Sequence, residues 1–316
     1  MVRAGNVTWE EEVRIAGNNG IDDDDMQSTI ELLVAKLLRH VPKPGRFLSA
    51  VNGLVLTRWN DVNQTDYCFY APAIGLILQG RKESVIGSKK YTYGALDCLV
   101  NGVDMPSMSR IIEATPENPL LAVSFNIDRA LAAEVVAEMP PAPDDGRPGV
   151  SVAKVTPDVL DAFSRLVDML DKPEQAPFMA SLLIREIIGR VLVGPQGPAL
   201  RMIHTRGTHS NQIAGAITWL RENYTKPLHV EALASWAGMA TSTFHRQFKK
   251  VTSISPLQFQ KCLRLYEAQR LMLAEGMDAN NAARAVGYDN IQQFNREYKR
   301  MFGEPPYRDI KRLRRE

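Results

Sequence analysis

The sequence predicts an α+β protein, with a β-rich amino-terminal part flanked by helices and an all-α carboxyl-terminal part built from one pattern used twice. Three observations predict it. Residues 47–127 alternate short Val-, Ile-, Leu- and Tyr-rich stretches with turn residues, as strands do. Residues 244–250 (Phe-His-Arg-Gln-Phe-Lys-Lys) return fifty positions later as 294–300 (Phe-Asn-Arg-Glu-Tyr-Lys-Arg). Charge divides the same way: residues 210–316 hold 17 Lys and Arg against 10 Asp and Glu, a net of +7, and residues 1–209 hold 21 against 26, a net of −5.

Residues 1–26 are polar and acidic, ending in Asp22 to Asp25, and read as a disordered leader. Ser28-Thr29-Ile30-Glu31 has the form of a capping box, opening a helix through Leu32, Leu33, Leu37 and Leu38. Strands are expected near 54–59, 66–70, 74–79, 82–86, 89–92, 96–100, 108–114 and 120–126, separated by turns such as Asn52-Gly53, Ile86-Gly87-Ser88 and Tyr93-Gly94. So many short strands suggest a small barrel or a double-sheet jelly roll. A Pro-rich stretch at 140–148 closes the region, and helices are expected at about 156–171 and 176–193. The expected division is a leader at 1–26, a barrel unit at 27–193, a Gly- and Pro-bearing linker at 194–209 and a helical domain at 210–316.

In each copy of the repeat the aromatics, Phe244 and Phe248 or Phe294 and Tyr298, are four apart and share one helical face. The cations project from the other. Upstream lie Ala234, Ala237 and Gly238 in one copy and Ala283, Val286 and Gly287 in the other, small residues that permit close helix crossing and a tight turn. Thr241-Ser242-Thr243 and Asp289-Asn290 follow as candidate N-caps. Each half reads helix, Gly turn, capped second helix, which is the helix-turn-helix plan. An apolar-faced helix over 257–275 joins the two.

The spacing Ala283, Val286-Gly287-Tyr288, Phe294, Arg296, Tyr298-Lys299, Phe302-Gly303 and Pro306 resembles the tandem DNA-binding domain of the AraC/XylS transcriptional regulators. Ser253 departs from the pattern by standing where Gly303 stands in the second motif. The segments Pro72 to Gly80 and Tyr93-Gly94 with Asp97 resemble that family's cupin-like sensor domain. The resemblance implies a cupin-like β-barrel that takes a small-molecule effector, neighbouring helices that form a homodimer, double-stranded promoter DNA and RNA polymerase as partners, and more often activation than repression. It also implies base contacts by Ser242, His245 and Arg246 in the first motif and by Ile291, Gln292 and Arg296 in the second.

The chemistry of these side chains points the same way. Arg can donate two hydrogen bonds to guanine, and Gln can pair with adenine. Lys249, Lys250, Lys299 and Arg300 suit phosphates, which orient without selecting sequence. Thr243, Asn290, Gln293 and Asn295 complete the candidate DNA-contacting set. The other reading of this basic part is an architectural binder of low specificity that uses no effector.

The five histidines (His40, His204, His209, His229 and His245) fall outside the expected strands, so no metal site is read there. No catalytic fingerprint or cofactor motif is present either, and an enzyme is not expected. Cys68, Cys98 and Cys262 have no disulfide or metal spacing. With no 18-residue apolar run and no signal-peptide pattern, the cytoplasm is the expected compartment. Trp59, Tyr67 and Tyr70 are candidate effector contacts. Cys68 and Cys98 could each be a thiolate sensor of electrophiles or a small buried hydrophobe.

Overall fold

The computed structural model describes residues 23–62, 65–140 and 147–314. Most of the expected leader and the middle of the Pro-rich stretch lie outside these residues. Helix α1 runs from Asp23 to His40, five residues ahead of the expected start. Ser28 therefore sits inside the helix, not at its cap, and Thr29 Oγ1 donates to the Asp25 carbonyl one turn back (2.9 Å). Leu33 and Leu37 of α1 are fully buried, the i, i+4 pair that an amphipathic helix offers a core.

Ten strands follow: β1 (Gly45–Leu48), β2 (Leu54–Trp59), β3 (Thr65–Tyr70), β4 (Ala73–Gln79), β5 (Arg81–Ile86), β6 (Lys89–Gly94), β7 (Asp97–Asn101), β8 (Met105–Glu113), β9 (Leu120–Asn126) and β10 (Val150–Lys154). They form two antiparallel sheets, ordered β1-β2-β9-β4-β7-β10 and β3-β8-β5-β6. The eight expected strands are present, and of the two expected arrangements, a small barrel or a double-sheet jelly roll, the strands form an open pair of sheets. The two strands that the turn pattern did not reveal, β1 and β10, are the outer members of the larger sheet. They are four and five residues long.

Helices α2 (Arg129–Ala137), α3 (Pro157–Asp168) and α4 (Ala176–Val193) cover the larger sheet. With α1 they share a core that includes Phe125, Phe163, Leu166 and Ile187. The segment expected to be a plain linker contains α5 (Gly197–His204), whose Leu200 joins that core.

The carboxyl-terminal helices are α6 (His209–Asn223), α7 (Val230–Trp236), α8 (Thr241–Thr252), α9 (Pro256–Ala274), α10 (Ala279–Ala285), α11 (Ile291–Phe302) and α12 (Pro306–Leu313). Ser255 and Gln258 form a reciprocal capping box at the start of α9, with Pro256 inside its first turn. Pro256 thus opens this helix, where its missing N–H costs no hydrogen bond.

Sandwich and helices share a packed seam. One apolar cluster joins Ile86, Val103 and Met105 to Phe244, Phe248 and Phe259. Tyr67 of β3 lies against Phe302, 5.0 Å between centroids. At the β5–β6 turn, a Cβ on Gly87 would stand 2.2 Å from the Thr252 carbonyl oxygen at the end of α8, so only Gly allows this approach. Ser88 Oγ donates to the Ser253 carbonyl (3.0 Å), and Arg221 of α6 pairs with the buried Asp104.

Candidate nucleic-acid interface and effector cavity

Gly238 and Gly287 take the left-handed backbone (φ 67° and 87°) that turns the first helix of each motif into the second. The second helices, α8 and α11, then repeat their environments along their length, with Thr243 half-buried where Gln293 is exposed. Phe244 and Phe248, like Phe294 and Tyr298, are fully buried. Ser242, His245, Arg246, Lys249 and Lys250 are exposed, as are Gln292, Asn295, Arg296, Lys299 and Arg300. Thr243 and Ile291 are half-buried. Among the described residues no carboxylate forms an ion pair with any of these six cations.

Caps differ between the motifs. The N-cap of α8 is Ala240, and no side chain caps it, so the expected Thr241 to Thr243 cap is absent because the helix starts one residue early. Asn290 caps α11, its Oδ1 accepting from the Gln293 N–H (3.0 Å). Gln293 Nε2 also donates to Glu297 (3.1 Å). The exit turns match: Ser253 adopts φ 66° just as Gly303 adopts φ 84°. The Ser for Gly exchange therefore leaves the turn in place, at the cost of a left-handed β-carbon-bearing residue.

Polar anchors fix the two motifs to the connecting helix α9. Arg264 donates to the carbonyls of Tyr224 (Nε, 2.7 Å) and Gly287 (Nη1, 2.7 Å), bridging the end of α6 to the second turn. Glu297 accepts from Lys261 (2.6 Å) and the Tyr288 hydroxyl (2.7 Å). Burial would raise its carboxyl, but these donors outweigh that and hold it below the usual carboxylate range. The fully buried Asp309 accepts from Gln269 Nε2 (2.7 Å) and Tyr298 hydroxyl (2.8 Å), joining α9, α11 and α12. Rigid supports of this kind present exposed side chains at a set spacing.

A second candidate site is a cavity of about 320 Å³ between the sheets. Trp59 and Tyr70 line it; Tyr67, Cys68 and Cys98 do not. Tyr67 is on the other face of β3, against Tyr266 and Phe302. Cys98 is buried in the core of the larger sheet. Burial pushes both the Cys68 and Cys98 thiols up to about 12, which leaves them protonated near neutral pH and weighs against electrophile sensing. Lys82, Asn101 and Ser109 also line the cavity, as does Tyr93, which the sequence marked only as part of a turn. Strand parity carried the signal for Lys82: it lies two and four residues from Ser84 and Ile86, which point inward.

A two-sheet sandwich with an internal cavity, bonded to two helix-turn-helix units, defines a class of two-part proteins. Residues 50–199 match the family model of the N-terminus of AraC-type transcriptional regulators, and residues 233–312 match a helix-turn-helix domain model. The chain belongs to the AraC/XylS family of transcriptional regulators. It is 26% identical over 165 residues to the transcriptional regulator ExsA of Pseudomonas aeruginosa, covering 52% of this chain and 59% of ExsA. It is 26% identical over 100 residues to the transcriptional activator RhaS of Pectobacterium carotovorum, covering 32% of this chain and 36% of RhaS. The chain thus spans between about a third and three-fifths of the length of these curated relatives. An apo ToxT variant from Vibrio cholerae superposes with a TM-score of 0.54 at 10% identity, over 83% of this chain and 98% of ToxT. ToxT bound to an unsaturated fatty acid gives 0.52 at 11% identity, over 85% and 96%. At such identity the likeness to ToxT concerns the fold alone. Among the described residues no helix is long and apolar enough to cross a membrane.

Proposed function

We propose that this protein is a sequence-specific, effector-responsive regulator of transcription that reads double-stranded DNA with α8 and α11. The observation that carries this reading is the match of exposure along the two helices. Arg246, Gln292 and Arg296 are assigned to base edges, with Ser242, Thr243, His245, Ile291 and Asn295 beside them. Lys249, Lys250, Lys299 and Arg300 are assigned to phosphates, and Asn290 and Gln293 to backbone-facing positions at the start of α11. The two helices would enter successive major grooves, roughly 34 Å apart along the duplex.

The cavity supports a small-molecule effector, and the ToxT relative of similar fold has been solved with a fatty acid. Homodimerisation is assigned to the α3–α4 face, where Phe178 and Leu182 are both 59% exposed one turn apart on α4. Activation through RNA polymerase is the inferred output, since RhaS is an activator. The DNA partner places the protein in the cytoplasm, and no catalytic, metal or cofactor role is assigned. The working units are 27–193 and 210–316.

The test is retention of fragmented genomic DNA by the full-length protein at near-physiological salt. Enrichment of few fragments sharing a site that spans two or more major grooves is expected. Equal retention of all fragments, lost steeply as salt rises, would instead establish an architectural binder.

A further inference from the structure

Both sheets line the cavity with a mixture of polar and apolar side chains. The four-stranded sheet contributes Lys82, Tyr70, Tyr93 and Ser109, and the six-stranded sheet contributes Trp59, Ile77, Leu99 and Ala122 beside polar groups such as Thr57 and Ser124. Arg46 and Asp66 also reach it, so the lining carries two cations and one carboxylate. Among the described residues, neither Lys82 nor Arg46 has an ion-pair partner. Lys82 Nζ faces the ring of Tyr70, 5.6 Å from its centroid, an aromatic surface where a counter-charge would be expected.

Around Lys82 the hydroxyls are already positioned. The fully buried Ser84 Oγ is 2.8 Å from the Tyr93 hydroxyl and 3.4 Å from that of Tyr70. Asn101, 1% exposed, donates through Nδ2 to the carbonyls of Tyr70 (3.0 Å) and Ala71 (2.9 Å), which fixes the end of β3. Its Oδ1 has no partner among the described residues. Burial alone would lower the Lys82 amine, but Tyr70, with Tyr93 and the Asp66 carboxylate at longer range, outweighs it and keeps the ammonium charged. A desolvated cation with no carboxylate in contact is an incomplete site.

We propose that the cavity binds a small amphipathic monocarboxylate, its headgroup paired with Lys82 beside the Tyr70 and Tyr93 hydroxyls and its apolar body against Trp59, Ile77 and Leu99. The net lining charge of one is neutralised by one carboxylate. A phosphate monoester, carrying nearly two negative charges, overfills that balance. A polyol leaves Lys82 unpaired and sets hydroxyls against Trp59, Ile77 and Leu99. The volume lies at the small end of ligand pockets, about 300–1,000 Å³, and suits a short-chain or monocyclic acid. This assignment rests on the reading of the protein as an effector-responsive regulator.

Calorimetry on the full-length protein with octanoate and benzoate, each beside its alcohol (octanol, benzyl alcohol), tests it. At least one acid is expected to bind, with its alcohol about thirtyfold or more weaker. Lys82→Met is expected to weaken the acid by about the same factor and leave the alcohol unchanged, and Lys82→Arg to restore part of the loss. An alcohol as tight as its acid, unchanged acid binding by Lys82→Met, or no binding of either acid overturns the proposal. The acid-to-alcohol comparison uses the unaltered protein, so it does not depend on a variant folding. DNA retention measured alongside separates the two readings. Selective retention without acid binding sinks only the ligand class, and Lys82-dependent acid binding with indiscriminate retention sinks only the regulator reading.

Discussion

The ring of Phe69 meets that of Phe259 edge to face, with centroids 5.5 Å apart and planes at 75°. Phe69 also lines the cavity, and Phe259 in turn stands edge-on to Phe248 of α8 at 5.6 Å. Aromatic contact therefore runs from the cavity wall through the connecting helix to the first recognition helix. An effector can alter DNA binding only through contacts that differ between two states, and typical couplings amount to about 1–3 kcal/mol. The Phe69→Ala protein is expected to bind its DNA site, with the ratio of affinities in the presence and absence of saturating acid drawn toward one. Fluorescence anisotropy titrations give that ratio, and an unchanged value removes Phe69 from the route.

Arg296 and Lys299 lie three residues apart on α11, both exposed, yet their expected roles differ. Arg296→Ala should cost about 1–3 kcal/mol on the specific site and relax selection at one base position. Lys299→Ala should weaken specific and random DNA alike and reduce the salt slope by about 1. Binding measured on a randomised-site library at two salt concentrations distinguishes them. Equal losses on specific and random DNA for Arg296→Ala would contradict base reading.

Ser253 holds φ 66° at the exit of α8, where a side chain strains the backbone. Its Oγ appears in none of the hydrogen bonds at the seam, since Ser88 is held by the Ser253 carbonyl. Ser253→Gly is thus expected to stabilise the protein by roughly 0.5–1 kcal/mol, the strain relieved less the added freedom of the unfolded chain. Gly303→Ala, at φ 84°, should destabilise by about 1 kcal/mol or more. Thermal unfolding midpoints moving in the same direction for both variants would refute this account.

His204 on α5 is 6% exposed and its Nε2 has no partner. Burial, with Arg129 nearby, lowers its imidazole from 6.5 to about 4. The folded protein therefore refuses a proton that the unfolded chain accepts between those values. Stability from this group is fully present above pH 6.5 and is lost as pH falls toward 4, by on the order of 3 kcal/mol. His204→Gln should flatten the decline in unfolding midpoint over that window; an equally steep decline would assign it to other groups.

The sequence by itself determined eight of the ten described strands, the two helix-turn-helix units and the exposed faces of α8 and α11. Each of these is written in local period: alternation for strands, i to i+4 aromatics for helices, and Gly at turns. The tandem repeat made the second reading check the first. Local signals misplaced the start of α1, because Ser28 to Glu31 has cap chemistry but stands one turn inside a helix. They also passed over β1, β10 and α5, which are short and are held by their neighbours in the sheet or the core. Only the tertiary structure decided which aromatic of β3 faces which partner, sending Tyr70 into the cavity and Tyr67 onto Phe302. It alone assembled Lys82, Tyr70, Tyr93 and Trp59, which come from four strands in two sheets. A cavity is bounded by residues far apart in the chain, and no periodicity within one segment can encode their meeting.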